Sequence, residues 1–240
     1  MTVAQTFDLF SPLDFAALAW LFLGAMWIGW RIESPPKDQP SVSILMVSFR
    51  RDWMRNMVSR EPRVFDAQLI GNLRQGTAFF ASATMIAIGG TLAVMGNTEQ
   101  LAGLVTDLTQ GNAPSIVWEI KVLLVLLLLA NAFLKFVWAH RLFGYCAVLM
   151  ASVPNDPADP RAYPRAEQAA EVNITAARSY NRAMRSVYFA LSAVAWLLGP
   201  VALMIGVVLT TAVIYRREFA SESRTFLLRT PSDAGSQSPV

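Results

Sequence analysis

Several polar side chains of this sequence fall inside, or at the ends of, long apolar stretches, where their presence needs a chemical reason. They are the candidate residues Asp14, Glu119, Lys121, Asn131, Lys135 and His140. Inserting an ionisable group at the centre of a bilayer costs roughly 3 kcal/mol or more on insertion scales. Such a group therefore usually serves in an ion pair or in transport chemistry. These positions are therefore the first place to look for function.

Lys121, Asn131 and Lys135 share one face of the apolar stretch 116–138, because steps of three and four residues link them. Such a polar stripe could carry a small solute or an ion across a membrane. Alternatively, Lys121 and Lys135 lie near the helix ends, where their ammonium groups can reach the headgroups. Asn131 would then make an interhelical hydrogen bond worth roughly 1 kcal/mol. Both interpretations stay open.

A lysine that faces a helix bundle is usually paired, because an unpaired charge in a low-dielectric environment is costly. Lys121 is expected to approach Asp14 or Glu119 near the outer ends of their spans. Lys135 is expected to approach Glu33 or to point to the inner headgroups. Pairing would make both lysines structural.

His140 is the only histidine and Cys146 the only cysteine of the chain. A histidine can ligate haem or a metal, or titrate near neutral pH. One histidine supplies one ligand, whereas a closed zinc site needs about four and a low-spin haem needs two axial ligands. The sequence therefore predicts a structural histidine, no metal site and no cofactor.

No motif for catalysis accompanies these residues: P-loop, GxSxG, HExxH, paired-cysteine and dinucleotide patterns do not occur. This favours a non-enzymatic membrane scaffold or accessory subunit, with no catalytic residues. The alternative is a small-solute or ion transporter that uses the polar face of the third span. A membrane-bound lipid-modifying enzyme is the second alternative, because acidic residues occur near the membrane interfaces.

The elements that must position these residues are membrane helices. Apolar residues make up 54% of the chain and charged residues 15%, and the charges lie between long apolar runs. We predict an all-α polytopic membrane protein, a four-transmembrane-helix bundle in a single membrane domain over residues 1–221, followed by a disordered tail at 222–240. The predicted spans are 12–30, 76–96, 116–138 and 187–215.

Small residues predict how two of these spans pack. Ala83, Ala87 and Gly90 lie on one face of the second span, which is expected to sit inside the bundle. A long helix with a small-residue face continues into the last span without a break signal. Gly199-Pro200 is expected to kink that span, because proline removes a backbone donor.

A basic amphipathic helix is predicted between the first two spans, in SVSILMVSFRRDWMRNMVSR. Its apolar stripe is Val42, Met46, Phe49, Trp53 and Met57, with Arg50, Arg51 and Arg55 off the stripe. The helix lies against the membrane surface or the cytoplasmic side of the bundle, or it binds a partner.

Arginine and lysine decide the orientation. The connections 31–75 and 140–186 are rich in basic residues and are expected in the cytoplasm, whereas the N-terminal tail and the loop 97–115, with a short interfacial helix at 101–108, are expected outside. Four spans then put the C-terminus outside, although its basic residues favour the cytoplasm: Arg216, Arg217, Arg224 and Arg229. The expected partners are membrane lipids and a homo-oligomer or larger membrane complex, without nucleic acid.

Two segments resemble a known family. IGNLRQGTAFFASATMIAIGG and NRAMRSVYFALSAVAWLLGP, with the later IYRREF, are similar to the bacterial and plant integral membrane family called domain of unknown function number five hundred and ninety-nine. The resemblance covers most of the chain, from about Pro12 to Ser221. It implies a multi-span membrane protein, and it supplies no catalytic residues. The expected location is the bacterial inner (cytoplasmic) membrane, with multiple passes.

Overall fold

A computed structural model describes residues 9–97 and 114–229, and every regular element within those ranges is a helix. The helices are α1 Pro12–Glu33, α2 Val42–Met57, α3 Val64–Met95, α4 Ser115–Ala151, α5 Ala162–Val194, α6 Pro200–Phe219 and α7 Glu222–Leu228. Four segments are long and apolar enough to cross a membrane: α1, α3, α4 and Pro200–Leu228. The all-α class and the presence of four long apolar helices are thus confirmed.

α4 and α5 form the central antiparallel pair. Near one end of the pair Lys121 lies over the ring of Trp196, and near the middle Ser179 Oγ donates to the Lys135 carbonyl at 3.0 Å. With 37 residues, α4 is about 55 Å long, whereas a bilayer core is about 30 Å thick. One end of the pair therefore extends beyond the membrane, where it builds a second apolar cluster with α2 and the start of α3.

The small-residue face predicted for α5 makes this close packing. Of the six residues predicted on this face, three are buried: Ala166, Ala170 and Asn173. The other three are half-buried: Ala177, Asn181 and Met184. Small side chains let helix axes approach each other, and the charged residues of α5 are left on the other face.

The chain reverses direction between α5 and α6. After the short 3-10 turn Ala195–Leu198, Gly199 adopts φ 117° and ψ 169°, and Pro200 begins α6. This backbone conformation is almost confined to glycine, and proline suits a first helical position because its missing N–H needs no partner there. The long helix predicted to continue through 187–215 is therefore two helices, and the predicted kink is a full reversal.

α6 returns beside α5. Ser192 Oγ and Thr210 Oγ1 share a hydrogen bond of 2.6 Å, and Arg217 donates to the Tyr188 hydroxyl at 2.6 Å. Since residue numbers rise on one helix as they fall on the other, the pair is antiparallel. α1 packs on α6 at Gly24, where an added Cβ would lie 3.1 Å from Val207 Cγ1.

This path defines two ends of the bundle. The basic end carries Glu33, Arg182 and Arg217, and the opposite end carries Asp14 and Trp196. α1, α3, α4, α5 and α6 each run between these ends. The segment after α6 therefore returns to the basic end, so the conflict over the C-terminal arginines disappears.

Two features near the basic end complete this part of the chain. α2 packs against α5, which favours the interpretation that it covers the bundle's own basic end. α7 occupies residues 222–228 of the predicted disordered tail, and Arg224 Nε donates to the Pro40 carbonyl at 2.9 Å. The remainder of that tail and the helix predicted at 101–108 lie outside the described residues.

The prediction that α3 sits inside the bundle is wrong. Ala83, Ala87 and Gly90 are exposed, and nothing lies within 4 Å of the Cβ positions built on Gly89 and Gly90. α3 packs on α4 through a different stripe that includes Thr77, Thr84 and Ile70. A face of small residues permits close packing with another helix, but no helix of the same chain packs on this face of α3 within the described residues.

The reversal predicts that the C-terminal segment lies on the same side of the membrane as the connection after α1. With the buried Cys146 replaced by alanine, Ser223→Cys and Asp38→Cys should react with an impermeant maleimide only after cells are permeabilised. Leu198→Cys, exposed at the turn before Gly199, should react in intact cells. Labelling of Ser223→Cys and Asp38→Cys from opposite sides would show that the chain does not reverse.

The second prediction concerns the turn itself. Gly199→Ala should destabilise the protein by about 1–3 kcal/mol, because alanine is strained at this backbone conformation although space is open around it. The control is Gly89→Ala, at a helical glycine with equally open surroundings, which should be neutral or slightly stabilising. Thermal unfolding in detergent micelles compares the two, and equal effects would argue against backbone strain.

Candidate functional site

At the opposite end of the bundle, Trp196 connects Asp14 and Lys121. Trp196 Nε1 donates to Asp14 Oδ1 at 2.8 Å, and the Lys121 ammonium lies 5.6 Å from the Trp196 ring centroid. The ammonium also lies 4.8 Å from the ring centroid of Trp118. A cation over an aromatic face is stabilised without direct ion pairing, and Lys121 is further attracted by the negative Asp14.

Asp14 has a second role at the start of α1. It forms a capping box with Ser11, in which Asp14 N donates to Ser11 Oγ and Ser11 N donates to Asp14 Oδ2 at 3.0 Å. This reciprocal pair satisfies backbone donors that a helix start otherwise leaves free. Lys121 therefore approaches Asp14 through Trp196, which contacts both residues. Glu119, two positions before Lys121 in the sequence, is half-buried.

In the middle of the bundle, Ser186 of α5 accepts from two polar residues of α4. Asn131 Nδ2 donates to Ser186 Oγ at 3.0 Å, and Lys135 Nζ donates to it at 3.2 Å. The Asn131 bond is the interhelical hydrogen bond expected of that residue. Lys135 contacts Ser186 and not Glu33, which differs from the expectation for that lysine.

At the basic end, Glu33 pairs with Arg182 and Arg185 rather than with Lys135. Both guanidinium groups come from α5, one helical turn apart, and together they donate hydrogen bonds to both carboxylate oxygens. Arginine forms such forked contacts better than lysine does, because its donors are fixed in a plane. This cluster fastens the end of α1 to α5.

The predicted site residues do not meet in one place. Lys121 and Lys135 are 14 positions apart on α4, or about 21 Å along the helix axis. His140 lies further on, with Nδ1 at 3.3 Å from the Arg74 carbonyl, where it joins α4 to α3. Within the described residues no group of three or more acidic, histidine or cysteine side chains is placed to hold a metal ion.

The structure instead shows a cavity that the sequence did not predict. It lies between α3, α5 and α6 at the basic end and has a volume of about 690 Å³. Its lining includes apolar and aromatic side chains together with two arginines and a glutamate: Phe80, Tyr180, Met184, Tyr188, Ile214, Arg185, Arg217 and Glu218. A neighbouring cavity of about 260 Å³ shares Asn181, Arg185 and Glu218 with it and is also lined by Arg50.

The charges around these cavities are unequally satisfied. Glu218 accepts from Ser43 N at 3.0 Å and from Ser43 Oγ at 2.9 Å, which turns its carboxylate toward α2. Arg50 donates to the buried Asn173 side chain, and burial lowers the pKa of its guanidinium. Among the described residues Arg217 contacts the neutral Tyr188: it donates to the hydroxyl, and its guanidinium lies 5.9 Å from the ring centroid.

Sequence reasoning missed this cavity because it depends on the reversal at Gly199. Arg217 is distant from Tyr188 when 187–215 is read as one helix, and adjacent to it when α6 folds back. The available signal was the basic C-terminal segment, which the positive-inside rule already places at the same end as the other arginines.

With this geometry described, the chain can be compared with known proteins. Residues 16–223 match the model of a family described as "Protein of unknown function, DUF599". The chain belongs to this family. The DUF599 match covers every apolar span, and it confirms the family resemblance that the sequence motifs predict. The chain matches no curated protein and no solved structure.

The structure of this DUF599 protein predicts that Lys121 and Asp14 are energetically coupled. Lys121→Met should lower stability by about 1–3 kcal/mol, because Asp14 keeps its charge with neutral partners only. In an Asp14→Asn background, which can retain hydrogen bonding at the cap, the same change should cost less. Thermal unfolding in detergent measures both.

Lys37→Met, at an exposed lysine, is the matched control and should have little effect. If Lys121→Met costs the same with and without the Asp14 charge, the two residues are not coupled.

Proposed function

We propose that this protein is a non-enzymatic scaffold or accessory subunit of the bacterial inner membrane, and that it assembles with a second copy of itself through α3. The observation that carries the proposal is the exposed face formed by Ala83, Ala87 and Gly90. These residues lie on an apolar helix that contacts mainly one other helix of its own chain, α4.

The chemistry of this face favours a helix as its partner. Lipid tails are as apolar as leucine, so a lipid-facing helix gains nothing from small residues. Two helices do gain, because small side chains let their backbones come close and increase van der Waals contact. The spacing Ala83-xxx-Ala87 is of this small-xxx-small type.

A second copy is the simplest partner for such a face. In a two-fold dimer the same surface serves both subunits, so the small side chains of one α3 meet the same small side chains of the other. A different subunit with a similar helix is the alternative, and it would make the protein part of a larger membrane complex.

The polar residues support a scaffold over a transporter. Lys121, Asn131 and Lys135 each contact residues of α5 or of the turn that follows it, so these contacts join helices of one chain. Asp14 and Glu33, the acids of α1, are likewise held by hydrogen bonds and ion pairs. The arginine-rich basic end supports an orientation in which this end of the bundle faces the cytoplasm.

The test is the oligomeric state in a membrane mimic. Ala83→Leu combined with Ala87→Leu should weaken self-association about tenfold or more, because the longer side chains separate the helices. The control is Ser82→Leu, which places a leucine on another side of α3, beside the exposed Phe79 and Ile86, and should leave association unchanged. Native mass spectrometry and dilution in liposomes give the dimer fraction.

A wild-type protein that stays monomeric at high protein-to-lipid ratio would overturn the self-association proposal. Retention of a stoichiometric foreign subunit that Ala83→Leu releases would replace the second copy by that subunit. Equal effects of Ser82→Leu and Ala83→Leu would mean that the face has no special role.

A further inference from the structure

The 690 Å³ cavity at the basic end is lined by apolar and charged side chains from both helices that flank it. On α6, Ile214 precedes Arg217, and Ser221 follows as the chain leaves the bundle. On α5, Tyr180, Met184 and Tyr188 line the cavity together with Arg185. Apolar surface and guanidinium groups therefore lie side by side in one cavity.

The polar rim of the cavity carries charges of both signs, and one of its two arginines has no ion-pair partner among the described residues. Two guanidinium groups, of Arg185 and Arg217, line the cavity against the single carboxylate of Glu218. Arg185 is already paired with Glu33, whereas Arg217 has no ion-pair partner among the described residues. Arg217 is exposed and donates to the Tyr188 hydroxyl at 2.6 Å, so the bond orients its side chain and leaves its charge without a carboxylate partner.

An arginine held in this way is suited to a phosphate, because its planar donors match two oxygens of the anion and its charge stays available. Apolar walls next to such a group suit a hydrocarbon chain. Ligand cavities of about 300–1,000 Å³ with mostly apolar walls and a few polar groups are typical of small-molecule sites. The cavity thus combines both parts of an amphiphile.

We infer that this cavity binds the phosphate headgroup of an anionic phospholipid from the membrane leaflet at the basic end. Arg217 binds the phosphate, and Phe80, Met184 and Ile214 contact the upper part of an acyl chain. A soluble phosphate compound could use the same arginine, but it would leave the apolar walls without a partner. The inference is independent of self-association through α3.

The experiment uses full-length protein in mild detergent with phosphatidylglycerol, phosphatidylcholine or inorganic phosphate as the probe. Native mass spectrometry should show one phosphatidylglycerol retained per chain at a detergent concentration that removes phosphatidylcholine. Arg217→Gln should weaken retention about tenfold, the loss expected for a charge-assisted contact of about 1.4 kcal/mol.

The matched control is Arg216→Gln, the neighbouring exposed arginine that does not line the cavity. General attraction of anionic lipid to the basic end would be reduced equally by both substitutions, whereas a site responds to Arg217 alone. Tyr188→Phe, which removes the bond that fixes Arg217, should give an intermediate loss. Equal effects of Arg216→Gln and Arg217→Gln overturn the inference.

A second variant separates lipid from soluble phosphate. Met184→Trp fills the apolar part of the cavity without changing charge, so it should weaken phosphatidylglycerol retention while the unfolding temperature is maintained. If Met184→Trp has no effect and millimolar inorganic phosphate displaces the lipid, the ligand is a soluble phosphate and the lipid assignment is wrong. Ala83→Leu combined with Ala87→Leu should retain the lipid, which keeps this test distinct from that of the scaffold proposal.

Discussion

The turn at Gly199 is the constraint on which the rest of the structure depends. Because its backbone adopts φ 117°, α6 folds back along α5 instead of continuing away from it. This return brings Glu218 to α2 and Arg217 to Tyr188, and it places α1 against α6 at Gly24. Without the reversal neither the basic-end cavity nor the packing of α1 on α6 would exist.

The second determinant is the need to satisfy polar groups inside a membrane. Hydrocarbon offers no hydrogen bonds, so polar side chains of spanning helices must find partners within the protein. The chain does this at three levels along the α4–α5 pair: at Asp14 with Trp196, at Ser186 with Asn131 and Lys135, and at Glu33 with the arginines of α5. Each set of contacts fixes the relative positions of two helices, so the polar side chains help to determine how the helices are arranged.

The sequence predicted those features that depend on local pattern. The apolar spans follow from hydropathy, and the packed face of α5 follows from small residues at helical spacing. What it could not predict depends on three-dimensional context: Gly199-Pro200 is compatible with a kink or a reversal, and Ala83 with a buried or an exposed face. Glu33 likewise had several candidate basic partners in the sequence. It pairs with arginines because a guanidinium group can donate two hydrogen bonds to one carboxylate.

The exposed face of α3 and the basic-end cavity have a common origin in how the helices are arranged. α5 is covered by α4, α1, α2 and α6, whereas α3 packs mainly on α4. Part of α5 around Met184 therefore lies in a gap between α3 and α6, and this gap is the cavity.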